Sequence, residues 1–273
     1  MTWSSDIFSL IHCGFKPVFV DIDLNSLSAS TEQILRKITK KTKAVFLTHA
    51  QGFSGLTDEL IKILKKKGIM LIEDVCESHG AKHNNKKLGT IGQISNFSFY
   101  YAHHMSTIEG GMICTNDIKI YNLAKILRSH GLARELKDEK LEKKLKKKYS
   151  DLSPQFIFLY PGFNMRNTEI GAVLGLSQIK RLDTNNRKRT KNFKIFLKYI
   201  NSDYFFTNFK ISGSSNYAFP LILKKKNIKT RNYLEKIMNI NKIEYRRGNA
   251  GGGNQLRQPY LKKIIKWNVR DFQ

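Results

Sequence analysis

Asp74 ends the apolar run Ile69-Met70-Leu71-Ile72-Glu73-Asp74, followed by Val75-Cys76-Glu77-Ser78-His79-Gly80-Ala81. In open α/β sheets, ligands bind beyond the carboxyl ends of the strands. A carboxylate placed there can bind a metal, take a proton, hold a protonated ring nitrogen, or simply cap the next turn. Ser98 comes 24 residues later, His103 five after that, and Glu109-Gly110-Gly111 begins six further on. An imidazole moves protons near neutral pH, so Asp74 and His103 together offer charge stabilisation and proton transfer. His104 is an adjacent rival to His103, while His49 and His79 read as structural.

These residues need a frame. Pro17-Val18-Phe19-Val20-Asp21-Ile22 reads as a short buried strand, and Lys43 to Thr48 and Ile69 to Asp74 read as two more. Thr31 to Ile38 has helical spacing with Ser30 or Thr31 as N-cap, and Thr57 opens a second helix that Gly68 closes. The strands are continuous apolar runs, as expected when both faces are covered. Strand and helix alternate at the interval of βαβ units, which predicts an α/β fold with a mostly parallel sheet. Asn96–Tyr101 and Gly111–Thr115 are further apolar segments, and a helix is expected over about Asp117–Ser129. The Lys/Glu-rich stretch 134–149 reads as an exposed helix or arm. Met165 to Leu182 reads as a helix rich in small residues, continued through 183–192 towards a smaller C-terminal part. The boundary is placed between residues 1–185 and 186–273.

Composition narrows the function classes. The 273 residues carry 48 Lys plus Arg against 22 Asp plus Glu, a net charge of +26. The lysines fall in scattered runs beside many Ile, Asn, Phe and Tyr, as an AT-rich coding sequence would produce. Basic charge alone supports only salt-sensitive, non-specific association. We therefore expect no nucleic-acid partner, and note that the same charge attracts anionic small molecules. No apolar run reaches the length of a bilayer span, and the N-terminus lacks a signal-peptide pattern. The expectation is a cytoplasmic protein without a membrane partner. Cys13, Cys76 and Cys114 form no metal-like cluster, so neither zinc nor a disulfide framework is expected and each reads as a small buried hydrophobe.

Five ordered blocks covering nearly the whole chain resemble the DegT/DnrJ/EryC1/StrS group of sugar aminotransferases and dehydratases. They are Pro17–Asp23, Ile72-Glu73-Asp74 with Ser78-His79-Gly80-Ala81, Phe97–Gly111, Phe163–Ile170, and Gly248-Asn249 with Leu256-Arg257-Gln258-Pro259. The resemblance implies a pyridoxal-phosphate (PLP) fold type I, aspartate-aminotransferase-like large domain with a partial small α+β domain. It implies that Asp74 holds the cofactor's pyridine nitrogen, that Ser98 binds its phosphate, and that Asn164 reaches the phosphate site of a second subunit in a homodimer.

The departure is His103, which stands where the family has a cofactor-binding lysine; the spacing from Ser98 and to Glu109 favours it over His104 for that place. Histidine keeps proton transfer and drops the covalent anchor. This swap resembles the 3-dehydratase branch, of the GDP-4-keto-6-deoxymannose type, which holds pyridoxamine phosphate (PMP) non-covalently. The resemblance implies loss of the C3 hydroxyl from a nucleotide-linked 4-keto-6-deoxy sugar, with L-glutamate regenerating PMP. Relatives that use an iron–sulfur cluster need four clustered cysteines, so no such cluster is expected here. Arg246, Arg247 and Arg257 are candidates to meet the diphosphate, since guanidinium suits phosphate. Two alternatives stand beside this reading: an ordinary nucleotide-sugar aminotransferase, and an inactive truncated family member. The latter arises because complete members are expected to begin before Met1 and to continue past Pro259.

Overall fold

The computed structural model describes residues 2–248 and 253–264. Asn249, part of one block noted above, lies outside them.

Local capping explains where the helices begin. α1 spans Ser4–His12. In α2 (Thr31–Lys37) the Ser30 hydroxyl accepts from the Gln33 amide. In α3 (Asp58–Lys67) Thr57 accepts from Leu60, and Gly68 ends the helix with a left-handed φ of 63°. Side-chain caps of this kind satisfy amides that have no partner within the helix, and glycine takes the left-handed exit without a Cβ penalty.

The strands are β1 (Ala44–Thr48), β2 (Met70–Asp74), the short hairpin β3 (Lys82–His83) and β4 (Lys86–Lys87), β5 (Ile94–Ser98) and β6 (Gly111–Cys114). The main sheet runs β1-β2-β5-β6. β1, β2 and β5 are parallel, and β6 returns antiparallel to β5. Thr48 is the register partner of Asp74, and Asp74 that of Asn96. The parallel strands therefore bring Thr48, Asp74 and the end of β5 to one sheet edge. Leu47, Leu56, Leu60, Leu64, Leu71 and Val75 pack the core between α3 and the sheet.

Beyond the sheet come α4 (Ile118–Leu127), α5 (Glu139–Lys148), α6 (Glu169–Tyr199), α7 (Ile228–Ile240) and α8 (Pro259–Ile264). α6 begins later than its periodicity suggests because Thr168 caps it, accepting from Gly171. Its second half carries Phe193 into an aromatic cluster with Phe53 and Phe209, the last two stacked at 5.5 Å.

Two expectations fail. Pro17–Ile22 forms no strand: Ile22 makes one isolated bridge to Ala29, and Val18 is 62% exposed. The chain instead reverses on itself, with Ser30 donating to the Asp21 carbonyl and Asp23 to that of Ser28. These local bonds use the backbone groups that a neighbouring strand would need. Cys13 is exposed rather than buried, since it caps the end of α1; Cys76 and Cys114 are half-buried. Among the described residues, no group of three or more His, Cys, Asp or Glu is disposed to hold a metal ion, and no helix is long and apolar enough to cross a membrane.

Candidate active site

Strand alternation sends Glu73 and Asp74 to opposite faces. Glu73 is fully buried and its carboxylate gathers four donors: His49 Nε2 at 3.0 Å and the amides of Gly89, Ile91 and Gly92. Burial would raise its pKa, but the His49 bond and the backbone donors outweigh it and hold the carboxyl below its ordinary range. His49 Nδ1 accepts from the Gly55 amide at 3.2 Å, so Nε2 carries the proton given to Glu73. This acid braces the loop 89–92 against β2.

Asp74, 3% exposed, faces the sheet edge. Its Oδ1 accepts from the Cys76 amide and from Asn96 Nδ2, each at 3.0 Å. Ser98 ends β5, the neighbouring strand, and its Oγ accepts from the Tyr100 amide. A tight turn follows, closed by the His103 amide on the Tyr100 carbonyl. That turn swings His103 back toward Asp74, whose charge acts on it.

The two neighbouring histidines have different surroundings. His104 is buried and its Nε2 donates to the Ser215 carbonyl; burial pushes its pKa down to about 4. His103 is only half-buried, with a buried Nδ1 that has no hydrogen-bond partner. Its pKa is lowered by burial, against the opposing pull of Asp74. His79 packs near Phe97, Phe99, His103 and His104, and burial holds it neutral, its pKa pushed to about 3.

Several residues in this cluster gave no chemical signal in the sequence. Tyr217 lies 5.7 Å, ring to ring, from both His103 and His104. Glu77 accepts from the Gln51 amide and side chain, and burial raises its pKa. Asp6, from α1, reaches the Asp74 side of the site. Tyr217 belongs to a loop far along the chain, and no spacing rule connects it to His103. Glu77 was visible in the Asp74 block but carried no distinguishing neighbour. The loop after β2 is held from outside by α6, where Asn186 Nδ2 donates to the His79 carbonyl at 2.7 Å. Gly80, at φ 81°, leaves room for that amide; a Cβ there would sit 2.7 Å from Asn186 Nδ2.

The remaining candidates are more dispersed. Asn164 is exposed in the segment before α6, bridged to Ser129, with its Oδ1 accepting from Arg166. Arg247 is committed to Glu235 on α7, with Nε at 2.8 Å. Arg257 is exposed on a short turn. Arg246 is the arginine of the three whose charge acts on Glu77, Tyr100 and Tyr217.

The buried Asp74, the serine at the next strand end and the half-buried imidazole with a free nitrogen form a polar group at the carboxyl edge of a parallel sheet. That arrangement fits a phosphorylated pyridine cofactor. The chain belongs to the DegT/DnrJ/EryC1/StrS aminotransferase family, whose model matches residues 1–248, and its fold is that of the PLP-dependent aminotransferase-like enzymes. It is 35% identical over 273 residues to GDP-4-keto-6-deoxy-D-mannose 3-dehydratase of Escherichia coli O55:H7, covering 99% of this chain and 69% of that protein. Two solved structures of GDP-4-keto-6-deoxymannose-3-dehydratase are 32% identical to it. One, a mutant with bound GDP-perosamine, aligns with a TM-score of 0.83 over 96% of this chain and 67% of that one. The other, holding a PLP-glutamate geminal diamine, aligns at 0.77 over 89% and 63%.

Proposed function

We propose that this chain carries the catalytic part of a PMP-dependent dehydratase that removes the C3 hydroxyl of a GDP-linked 4-keto-6-deoxy sugar in the cytoplasm, with L-glutamate regenerating the cofactor. The observation that carries this reading is His103. It is a half-buried imidazole with an unpartnered nitrogen on which the Asp74 charge acts, and the sequence resemblance aligns it with the family's lysine. When bound, the cofactor supplies an amine for the sugar's keto carbon and a ring that stores electrons.

This chain's residues supply the rest. Asp74 pairs with the ring nitrogen and keeps it protonated. Its fixed orientation, set by Cys76 and Asn96, is the preorganisation that makes such a charge effective. Ser98 holds the phosphate. His103 takes the proton from the cofactor's methylene carbon, and having no amine it cannot capture the keto sugar or the cofactor itself. His79, Phe97 and Phe99 keep water from this side of the imidazole. Arg246, Arg247 and Arg257 remain candidates for the diphosphate, with Arg246 favoured because its charge acts on Glu77 and Tyr217. Residues 1–185 form the cofactor-binding part in this reading, and 186–273 a partial small domain.

The test is direct. The chain is incubated with PMP, L-glutamate and GDP-4-keto-6-deoxymannose, and ammonia and 2-oxoglutarate are followed. Release of both, with loss of the C3 hydroxyl, supports the proposal. A stable 4-amino sugar points to an aminotransferase, and no cofactor uptake to an inactive family member.

The homodimer belongs to the same reading. Ile170, Val173 and Leu176 of α6 are 75%, 67% and 65% exposed in the isolated chain. Apolar residues of this size at helical spacing mark an interaction surface, and Asn164 stands just before them. Val173→Glu is expected to shift the chain to monomer in sedimentation velocity and to weaken PLP binding, because Asn164 would no longer reach a second site. An unchanged sedimentation coefficient removes α6 from the interface.

A further inference from the structure

Asp6 is a buried acid with no cation among the groups that act on it. It is 8% exposed on the first turn of α1. Its Oδ2 accepts from Thr48 Oγ1 at 3.0 Å and from Thr2 Oγ1, and the two hydroxyls lie 2.8 Å apart. Thr48 is the register partner of Asp74 across β1 and β2, so its hydroxyl holds the Asp6 carboxyl beside the strand end that carries Asp74, and the two carboxyls meet side chain to side chain. With both hydroxyls on Oδ2, Oδ1 is left to carry a proton. Asp74 Oδ1 is already taken by Cys76 and Asn96.

We propose that Asp6 and Asp74 share one proton, with Asp6 as a neutral positioning acid that donates to Asp74 and aims its carboxylate at the ring nitrogen. The last clause rests on the role given to Asp74 above. Two buried carboxylates in contact do not both ionise near neutral pH. Burial, followed by the charge of Asp74, pushes the Asp6 pKa from 3.8 up to about 8, while the hydroxyls of Thr2 and Thr48 pull it down. The other titratable groups facing the pair are the Cys76 thiol, which burial and both acids hold in its neutral form, and Glu77 and His103, on which the Asp74 charge also acts, adding to the burial that raises Glu77 and opposing the burial that lowers His103. The pair then carries a single negative charge, matched to one protonated ring. Because the pKa is raised on folding, the stabilising contribution of Asp6 is full below about pH 4 and is lost as pH rises to about 8.

The experiment begins with the full chain free of cofactor. Infrared difference spectra are recorded while pH is raised from about 6 to about 10, a range that spans the raised pKa. The expected result is loss of one carboxylic-acid carbonyl band with a midpoint near 8, absent in Asp6→Asn. Thr48→Val removes a hydroxyl that donates to the carboxylate, so it moves the midpoint upward, and this variant decides the matter should Asp6→Asn fail to fold. PLP binding by absorbance then separates the two readings. Asp6→Asn, which keeps a neutral donor at every pH, binds PLP with an affinity that no longer changes across the midpoint, whereas Asp74→Asn loses binding. A wild-type chain with no acid band at neutral pH, or a midpoint unmoved by Thr48→Val, overturns the shared proton. An acid band that behaves as expected beside an Asp74→Asn variant that binds PLP normally leaves the shared proton standing and sinks the ring-nitrogen role.

Discussion

Replacing His103 with asparagine lowers the dehydration rate about a hundred- to ten-thousand-fold, the range a positioned proton-transfer group contributes, and leaves cofactor uptake intact. Asparagine fills a similar space and retains polarity but carries no titratable nitrogen. In the function proposed above His103 is the base: it is half-buried with the Asp74 charge acting on it, whereas His104 is buried and has spent its Nε2 on the Ser215 carbonyl. His103→Lys gives a different outcome. The lysine bonds covalently to PLP, seen as a shifted absorption band that survives dialysis, and elimination is suppressed. Dehydration that persists unchanged in both variants moves the base elsewhere, with His104 the next to replace. The pH profile gives a separate reading. Burial lowers the His103 pKa and Asp74 opposes this without cancelling it. The neutral base therefore survives to lower pH than free imidazole, and the acid limb of the rate falls below about pH 6.5. A limb above that value would mean that the Asp74 charge dominates.

Glu73→Ala costs about 3 to 5 kcal/mol of folding stability, the usual penalty for removing one partner from a buried charged network. Against a typical domain stability of about 5 to 15 kcal/mol, that loss is readable as a large fall in the urea midpoint. The carboxylate is fully buried and serves His49, Gly89, Ile91 and Gly92, so alanine strands four donors at once. The pH dependence has a fixed sign. The Glu73 pKa is depressed in the folded chain, so its contribution is present above the unfolded carboxyl value and is lost as pH falls through the folded one. Glu73→Gln flattens that acid-side decline. A midpoint within about 1 kcal/mol of wild type for Glu73→Ala, the range of an ordinary substitution, would show that loop 89–92 does not depend on this acid.

Much of this architecture was legible in the residues. Thr57 with Gly68, and the apolar runs before Thr48 and Asp74, fixed two strands and a helix because each signal is local. Asp74, Ser98 and His103 were readable as a set because strand ends and a short turn bring them together within thirty residues of chain. Pro17–Ile22 misled because its apolar run enters a local reversal that uses the neighbouring backbone groups, and only the tertiary fold decides whether a partner strand is present. The two acids of Glu73-Asp74 look alike in sequence. What separates them is which face finds donors, and those donors come from a loop 16 to 19 residues away. Tyr217 and Asp6 approach the site from opposite ends of the chain, where periodicity carries no information about contact.

The fit between Gly80 and Asn186 has a consequence for how this sequence can drift. A side chain at position 80 collides with the amide that anchors the His79 carbonyl, and a smaller residue at 186 frees the space but releases the anchor. Neither position can change alone without loosening the loop behind the imidazoles. The two are one heritable trait written in two codons, and a mutational scan should show each intolerant of single replacement, with position 80 held to glycine by its φ of 81° whatever stands at 186.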